Sequence, residues 1–486
     1  MDFTVSQFQD LVNKYKIEEV IDHSSRVVEN SVFLLIQKES EYGIYSKYIK
    51  EAHEKKVKFI VTNKKEIYQN FVGKIEIYFT ANISSIIDHS IKIFYHLSPE
   101  VILVTGTNGK SSIVSYVRQI FLHMGCLCAS IGTLGVICDS IIIPHHLNSS
   151  LTTPSNLHLR QILHFLYKKG VLYVAIEASS HALHQGRLKN ISSSCVCFCS
   201  FSEDHLDYHE NMKNYLNSKL LLFQKNINQN STIVLIDEVK DLVPQDIKGC
   251  HNIIIVSKDN SEAGFNQVLI VNRIQSTFYC QEVFFSYKGS KFKILSKIIG
   301  KHQMYNLLMS ILLSNHYLNK LENIIKIIPQ IVSPEGRMQK VFPKKNIFID
   351  YAHNSNGLKM LLEEINSIKE ARLILVFGCG GDRDKGKRRV MGKVANDLSD
   401  IVVITDDNPR NEDAKLIRKE ILLGCKKAIE ITPRSNAIRY ALSLQKDSDV
   451  VLITGKGHEN YMIYKGKVIL KKTDRQIVVD FYEDVR

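Results

Sequence analysis

The chain has 486 residues, too many for one compact core, so several domains are expected. Its 44% hydrophobic and 23% charged residues are ordinary for a globular protein, and no apolar run approaches the ~18 residues that cross a membrane. The formal net charge of +13 is spread along the chain without a basic arm or basic–aromatic interleaving, which points away from nucleic acid and suits small anionic substrates. The opening MDFTVSQFQDLVNKYK has neither a basic nor an apolar leader region. Ten cysteines lack framework spacing, and Cys195, Cys197 and Cys199 fall within an apolar strand pattern, which predicts free thiols in a reducing, cytoplasmic setting.

Short β-branched runs alternate with helical periodicity, so parallel α/β layers are expected. SVFLLI (31–36), a helical stretch from Ser46 and VKFIVT (57–62) form a small β-α-β pattern, and a helix over 82–96 leads to a boundary at Pro99. VILVTG (101–106) then opens a second block, followed by a helix with apolar positions 113, 114, 117, 120, 121 and 124. VLYVAIE (171–177), CVCFCSF (195–201), STIVLID (231–237) and NIIIVS (252–257) read as strands, and 265–298 as hairpins covering one edge. Helices over 304–318 and 321–330 reach Pro334. Four strands of a third block, NIFIDYAH (346–353), RLILVFGCGGDRD (372–384), DIVVITDDNPR (400–410) and DVVLITGKGHE (449–459), each run into a polar or glycine-rich cluster. Ligands gather beyond the carboxyl ends of parallel strands, so four such clusters predict a binding surface.

The segment TGTNGKSS (105–112) joins a strand to an amphipathic helix. Glycines let backbone N–H groups approach phosphate oxygens, a helix N-terminus favours anions, Lys110 would neutralise outer phosphates and Ser111 could bind Mg²⁺. The usual G-x-x-x-x-G-K-[ST] spacing would require glycine at 104, where Val104 stands. An ordinary turn before a helix is the bland alternative.

TGTNGKSS resembles the compact ATP loop of the Mur ligases and of folylpolyglutamate synthetase, three-domain ligases that join an amino acid to a carboxylate. EASSHALHQGR (177–187), SEDHLDYH (202–209) and NYLNSKLLLF (214–223) resemble the central domain of the Mur ligases that add the third residue of the peptidoglycan peptide. The likeness spans nearly the whole chain, strongly from about 101 to 475. It implies an α/β protein of three domains. These are a small N-terminal UDP-sugar-binding domain (1–98), a central P-loop mononucleotide-binding domain with a parallel sheet (99–333), and a Rossmann-like C-terminal domain for the incoming amino acid (334–486).

By the same resemblance, ATP would be held by Gly106, Thr107, Asn108, Gly109, Lys110, Ser111 and Ser112, with Asn306, Arg337, Asp350 and His353. Lys387, in the basic-glycine loop, would lie near the nucleotide. Mg²⁺ would be held by Ser111, Glu177 and His205. Lys219, which read alone is a solvated helix lysine, matches a position carbamylated by CO₂ (N6-carboxylysine), and Lys110, Lys219 and His205 would be catalytic. Ser25, Thr152, Thr153, Ser179, Gln185 and Arg187 match positions contacting the UDP-sugar peptide. TDDNPR (405–410) accompanies family members that use meso-diaminopimelate, whose distal carboxylate calls for a cation that lysine does not need. Arg383, Asp407, Asn408, Pro409, Arg410, Gly455 and Glu459 are therefore the expected amino-acid pocket.

The implied activity is ATP-dependent addition of meso-2,6-diaminopimelate to UDP-N-acetylmuramoyl-L-Ala-D-Glu by a cytoplasmic monomer, without nucleic acid or a membrane segment. Lysine-adding or other ligases of the same build, and a nucleic-acid-associated P-loop ATPase, are the alternatives. Several positions depart from the family pattern: Ser24-Ser25-Arg26, the loop ESEYG (39–43), Leu151, Ser200 and Asn354-Ser355-Asn356. Those near the N-terminus bear on UDP-sugar binding more than on reaction type.

Overall fold

The computed structural model describes residues 2–36, 45–149, 151–258 and 267–483; the loop 39–43 lies outside them. The chain separates into two compact units, one of Met1–Val101, Leu127–Val174 and Gln185–Ile191, the other of Ile102–Cys126, Ala175–His184 and Ser192–Arg486.

In the smaller unit, β1 (Glu19–Ile21), β2 (Ser31–Leu35), β3 (Phe59–Thr62) and β4 (Ile77–Phe79) form a parallel sheet in chain order. Both faces are covered, so β2 is buried throughout: Val32 and Leu34 join the core with Phe8, Val12 and Ile86, while Phe33 and Leu35 face Ile49, Ala52 and Ile67. The first helix, Val5–Tyr15, has a capping box in which Thr4 and Gln7 satisfy each other's backbone N–H groups.

The larger unit carries β5 (Glu100–Thr105), which pairs in parallel with β9 (Ser193–Phe198). The antiparallel hairpin β6 (Cys128–Gly132) and β7 (Gly135–Cys138) and the strand β8 (Tyr173–Glu177) fall between them in sequence. The sheet continues from β9 in parallel through β10 (Ile227–Ile236), β11 (Asn252–Ser257) and β12 (Gln267–Ser276), and then antiparallel through β13 (Gln281–Tyr287) and β14 (Ser290–Ser296). The expected edge hairpins are therefore present. On its other side β5 neighbours β8, where Ala178 N donates to Val104 O at 2.8 Å. The strand order reverses at β5, and a reversal of this kind opens a crevice at the strands' carboxyl ends. Helix Lys110–His123 leaves that point and packs on helix Lys301–Leu318, with Tyr116 OH donating to Gln303 Oε1 at 2.9 Å.

A separate sheet holds β15 (Gln339–Phe342), β16 (Lys345–Ile349), β17 (Leu373–Phe377), β18 (Ile401–Ile404), β19 (Ile429–Glu430) and β20 (Val450–Ile453), in the order β15-β16-β20-β17-β18-β19. All pairings but β15–β16 are parallel. The four strands expected to end in ligand-like clusters are thus adjacent and aligned, and those clusters share one edge of one sheet.

Candidate active site

The turn after β5 is built from contacts that no bulkier residue would permit. Gly109 has φ +90°, and a Cβ there would lie 2.6 Å from Asn306 Oδ1. A Cβ on Gly106 would fall 2.4 Å from Cys199 Sγ. The loop is braced from the end of β9: Thr107 N donates to Ser200 O at 3.0 Å and Asn108 N to Ser200 Oγ at 2.8 Å. Thr107 Oγ1 accepts from Ser202 N at 3.1 Å and lies 3.1 Å from Tyr215 OH. Lys110 Nζ donates to the carbonyls of Gly106 and Thr107 at 2.8 and 2.9 Å, and Ser111 and Ser112 are buried at the helix entrance. The compact loop thus keeps its ammonium and hydroxyls at a helix N-terminus, where phosphate is favoured.

Lys219 is not a solvated helix lysine. It lies on the inner face of helix Met212–Lys225, 1% exposed, and its Nζ donates to Gly106 O at 2.7 Å. Burial, reinforced by Lys110, holds its pKa well below the usual lysine range. Next to it lies a second polar cluster. Asp204 Oδ2 accepts from Asn354 Nδ2 at 3.2 Å and lies 3.8 Å from both His205 Nε2 and His353 Nε2. Its pKa lies below the usual carboxylate range: burial opposes the charge, and the neighbouring His353, His205 and Lys387 together lower it. His205 is pushed down to about 3 by burial, so its imidazole is neutral.

Arg337 follows the left-handed Gly336 and lays its guanidinium 4.2 Å above the Tyr351 ring, with Nη2 donating to Ser111 Oγ at 3.1 Å. Asp350, at the end of β16, accepts from Met338 N and Ala352 N at 2.7 Å each and so fixes the turn that carries Arg337. His353 Nδ1 lies 3.0 Å from Tyr351 O.

Beyond β18 and β20 a third group converges. Asn408 Nδ2 donates to Glu459 Oε2 at 2.9 Å, as does Lys456 Nζ, and Tyr351 OH donates to Glu459 Oε1 at 3.2 Å. Asp407 is buried, and a Cβ on Gly455 would lie 2.9 Å from its Oδ2. Arg410, after Pro409, donates from Nη1 to Gly381 O at 2.7 Å. Arg383 is half-exposed, 3.7 Å from Asp207, and lines a cavity of about 520 Å³ with Leu206, Asp382, Lys385 and Glu412.

In the smaller unit, Arg187 Nη1 donates to Thr153 O at 2.8 Å and its Nε and Nη2 to Gln185 Oε1 at 3.0 and 2.6 Å, while Thr152 Oγ1 lies 3.3 Å from Thr133 Oγ1. Ser25 Oγ lies 2.8 Å from His23 Nδ1, and its carbonyl accepts from Lys55 Nζ. Ser179 belongs to the larger unit, where its Oγ accepts from Ala182 N at 3.3 Å, close in sequence to the buried Glu177.

Two family models match: the Mur ligase middle domain over residues 104–314 and the Mur ligase glutamate ligase domain over 336–457. A protein of Rickettsia montanensis named UDP-N-acetylmuramoyl-L-alanyl-D-glutamate–2,6-diaminopimelate ligase is 38% identical over 94% of this chain and 95% of its own. The chain belongs to the Mur ligase family. Solved Mur ligase structures share the fold. One titled as a UDP-N-acetylmuramoyl-L-alanyl-D-glutamate–2,6-diaminopimelate ligase has TM-score 0.62 and 24% identity over 96% of this chain and 95% of that one. MurF from Thermotoga maritima, in complex with ADP, has TM-score 0.66 and 15% identity over 97% and 98%.

Among the described residues of this Mur ligase, no three His, Cys, Asp or Glu side chains converge as a metal cage. Mg²⁺ does not need one, because it retains waters and takes one or two carboxylates together with substrate phosphates. The buried Glu177 carboxylate, the Ser111 hydroxyl and the neutral His205 fit such a sparse donor set. Asp204, Tyr351, Lys456 and Arg388 also belong to this region, though the sequence does not single them out. Asp204 and Lys456 lie inside quoted motifs, SEDHLDYH and GKGHE, but nothing in spacing tells a carboxylate that organises two histidines from a solvated one.

Proposed function

We propose that this Mur ligase uses ATP to join meso-2,6-diaminopimelate to the γ-carboxylate of D-glutamate in UDP-N-acetylmuramoyl-L-Ala-D-Glu. The observation that carries the ligase reading is Arg337 reaching Ser111 Oγ, because it sets a cation from the C-terminal sheet beside the phosphate loop. The choice of amino acid is supported by Arg410 beside the Asp407–Asn408–Glu459 group and by the names of the relatives.

In this reading the γ-carboxylate attacks the γ-phosphate of ATP, giving an acyl phosphate and ADP, and the free amine of diaminopimelate then displaces phosphate. Lys110 and Arg337 neutralise charge on the transferring group, and the braced loop holds it in line. Mg²⁺, held by Ser111, Glu177 and His205, would add charge neutralisation. Burial lowers the pKa of Lys219 and so favours the free amine that reacts with CO₂, and its carbamate would be the anionic counterpart of Lys110. Arg410 and Arg383 meet the distal carboxylate and Glu459 the distal ammonium, while Thr152, Thr153, Ser179, Gln185, Arg187 and Ser25 contact the UDP-sugar peptide. We place the domain boundaries at 98/99 and 333/334 and the enzyme, as a monomer, in the cytoplasm. No helix among the described residues is long and apolar enough to cross a membrane.

The acyl phosphate gives a direct test. With UDP-muramoyl dipeptide, ATP and Mg²⁺ but no amino acid, hydroxylamine should trap a γ-hydroxamate detectable by mass, and adding diaminopimelate should divert it to tripeptide. ATP hydrolysis without hydroxamate would contradict the mechanism.

A further inference from the structure

The basic run at 385–389 looks like a solvated charge cluster, yet the Arg388 side chain is fully buried. A buried guanidinium is tolerated only with close anionic partners. Arg388 has two: Nη1 donates to Glu412 Oε2 at 2.9 Å and Glu420 Oε2 at 2.8 Å, and Nη2 to Glu412 Oε1 at 2.8 Å. Nη2 also reaches Gly380 O at 3.3 Å. Glu412 Oε1 accepts a further bond from Asp382 N at 2.6 Å, and Glu412 N donates to Pro409 O at 3.0 Å.

One arginine–glutamate joint therefore clamps the loop after β17 to the loop after β18. The clamped backbone is what fixes Arg410. Gly381 N donates to Asn408 O at 2.9 Å, and Gly381 O accepts from Arg410 Nη1 at 2.7 Å. The two loops pass so closely that a Cβ on Gly381 would fall 2.0 Å from Pro409 O. Glu420 holds Arg388 from helix Ala414–Leu422, outside both loops.

We infer that Arg388 and Glu412 form a positioning unit that sets the guanidinium of Arg410 and thereby the discrimination between amino acids with and without a distal carboxylate. The inference rests on the proposed role of Arg410 toward diaminopimelate. Arg388 is fully buried and Glu412, at the edge of the cavity that Arg383 lines, has both carboxylate oxygens engaged by Arg388 and Asp382 N, so the pair acts through the Gly380–Asp382 backbone. A clamp of this kind affects affinity for the distal head more than the chemistry at the reacting amine.

The test is the ratio of kcat/KM for meso-diaminopimelate over L-lysine in Glu412→Gln, Arg388→Lys, Glu420→Gln and Arg410→Ala, each with its melting temperature. Glu412→Gln should raise KM for diaminopimelate by roughly tenfold with kcat and the lysine parameters little changed, as expected for a misplaced recognition group. Arg388→Lys, which loses the forked geometry, should shift the ratio the same way, while Glu420→Gln should leave it in place. Equal losses toward both amino acids in Glu412→Gln would overturn the inference, as would an unchanged ratio in a variant set where Arg410→Ala collapses it. An unchanged ratio in Arg410→Ala would instead overturn the underlying reading of Arg410. If Arg388→Lys fails to fold, Glu412→Gln, on a partly exposed side chain, decides the question.

Discussion

Lys219 keeps an amine where water cannot solvate its charge, 2.7 Å from a carbonyl of the phosphate loop and beside a second lysine. Such a site is poorly explained by stability, since desolvating an ammonium costs several kcal/mol and an apolar side chain of similar length would avoid it. Lys219→Met should therefore abolish turnover while leaving the melting temperature unchanged or higher; substantial turnover in that variant would contradict a catalytic role. His209 is buried too, between Ser180 Oγ and Ser218 Oγ. Burial, then His181, His184 and Lys219, lower its pKa from 6.5 to about 4. Below pH 6.5 the unfolded chain takes up a proton that the folded chain accepts only near pH 4. Stability should then fall through that window, by on the order of a few kcal/mol from this one group. In melting curves recorded between about pH 7 and about pH 4.5, His209→Asn should show a shallower decline. An equally steep decline would mean that other groups carry the acid sensitivity.

At the scale of elements, the C-terminal helix does more than close the chain. Asp474, 2% exposed at its start, forms a bidentate pair with the buried Arg434, whose Nη2 donates to Thr454 O at 2.8 Å and whose Nη1 lies 3.4 Å from Asp406 O. Those carbonyls immediately precede Gly455 and Asp407, so one ion pair anchors both the β18 and β20 loops. Asp474→Ala should cost about 3–5 kcal/mol, because it strands a buried guanidinium. Hydrogen exchange should show lost protection in Asp474–Glu483 and in both loops; unchanged protection would contradict the anchoring. This pair was invisible in the sequence, where Arg434 and Asp474 are ordinary charges far apart. What could be read were features encoded over a few residues. These were the β-branched runs that became β2, β3, β5, β11, β16, β17, β18 and β20, the glycine loop, and the polar clusters at strand ends. Short or half-exposed strands such as Glu19–Ile21, Ile77–Phe79 and Ile429–Glu430 have too few residues to show a period, and only pairing defines them. The helix Val5–Tyr15 was legible in principle from its Thr4-x-x-Gln7 capping box. For the site, the motif residues were found from the resemblance. Asp204, Arg388 and the burial of Lys219 emerged only once distant segments were brought together.

For the whole molecule, the parallel strand ends of the larger unit present two ligand-type surfaces, one after β5 and one after β16, β17, β18 and β20, and Arg337 and Asp204 each bridge between segments belonging to the two. That arrangement suits a reaction in which a phosphorylated carboxylate must meet an amine while water is kept away. The net charge of +13 is carried by a lysine-rich chain and suits anionic substrates. The most direct test is phosphate release from ATP by the purified protein with UDP-muramoyl dipeptide, comparing meso-diaminopimelate with L-lysine and identifying the product by mass. Release that requires both the dipeptide and diaminopimelate, with a tripeptide product, is the predicted result. A preference for lysine, or release indifferent to the dipeptide, would contradict it.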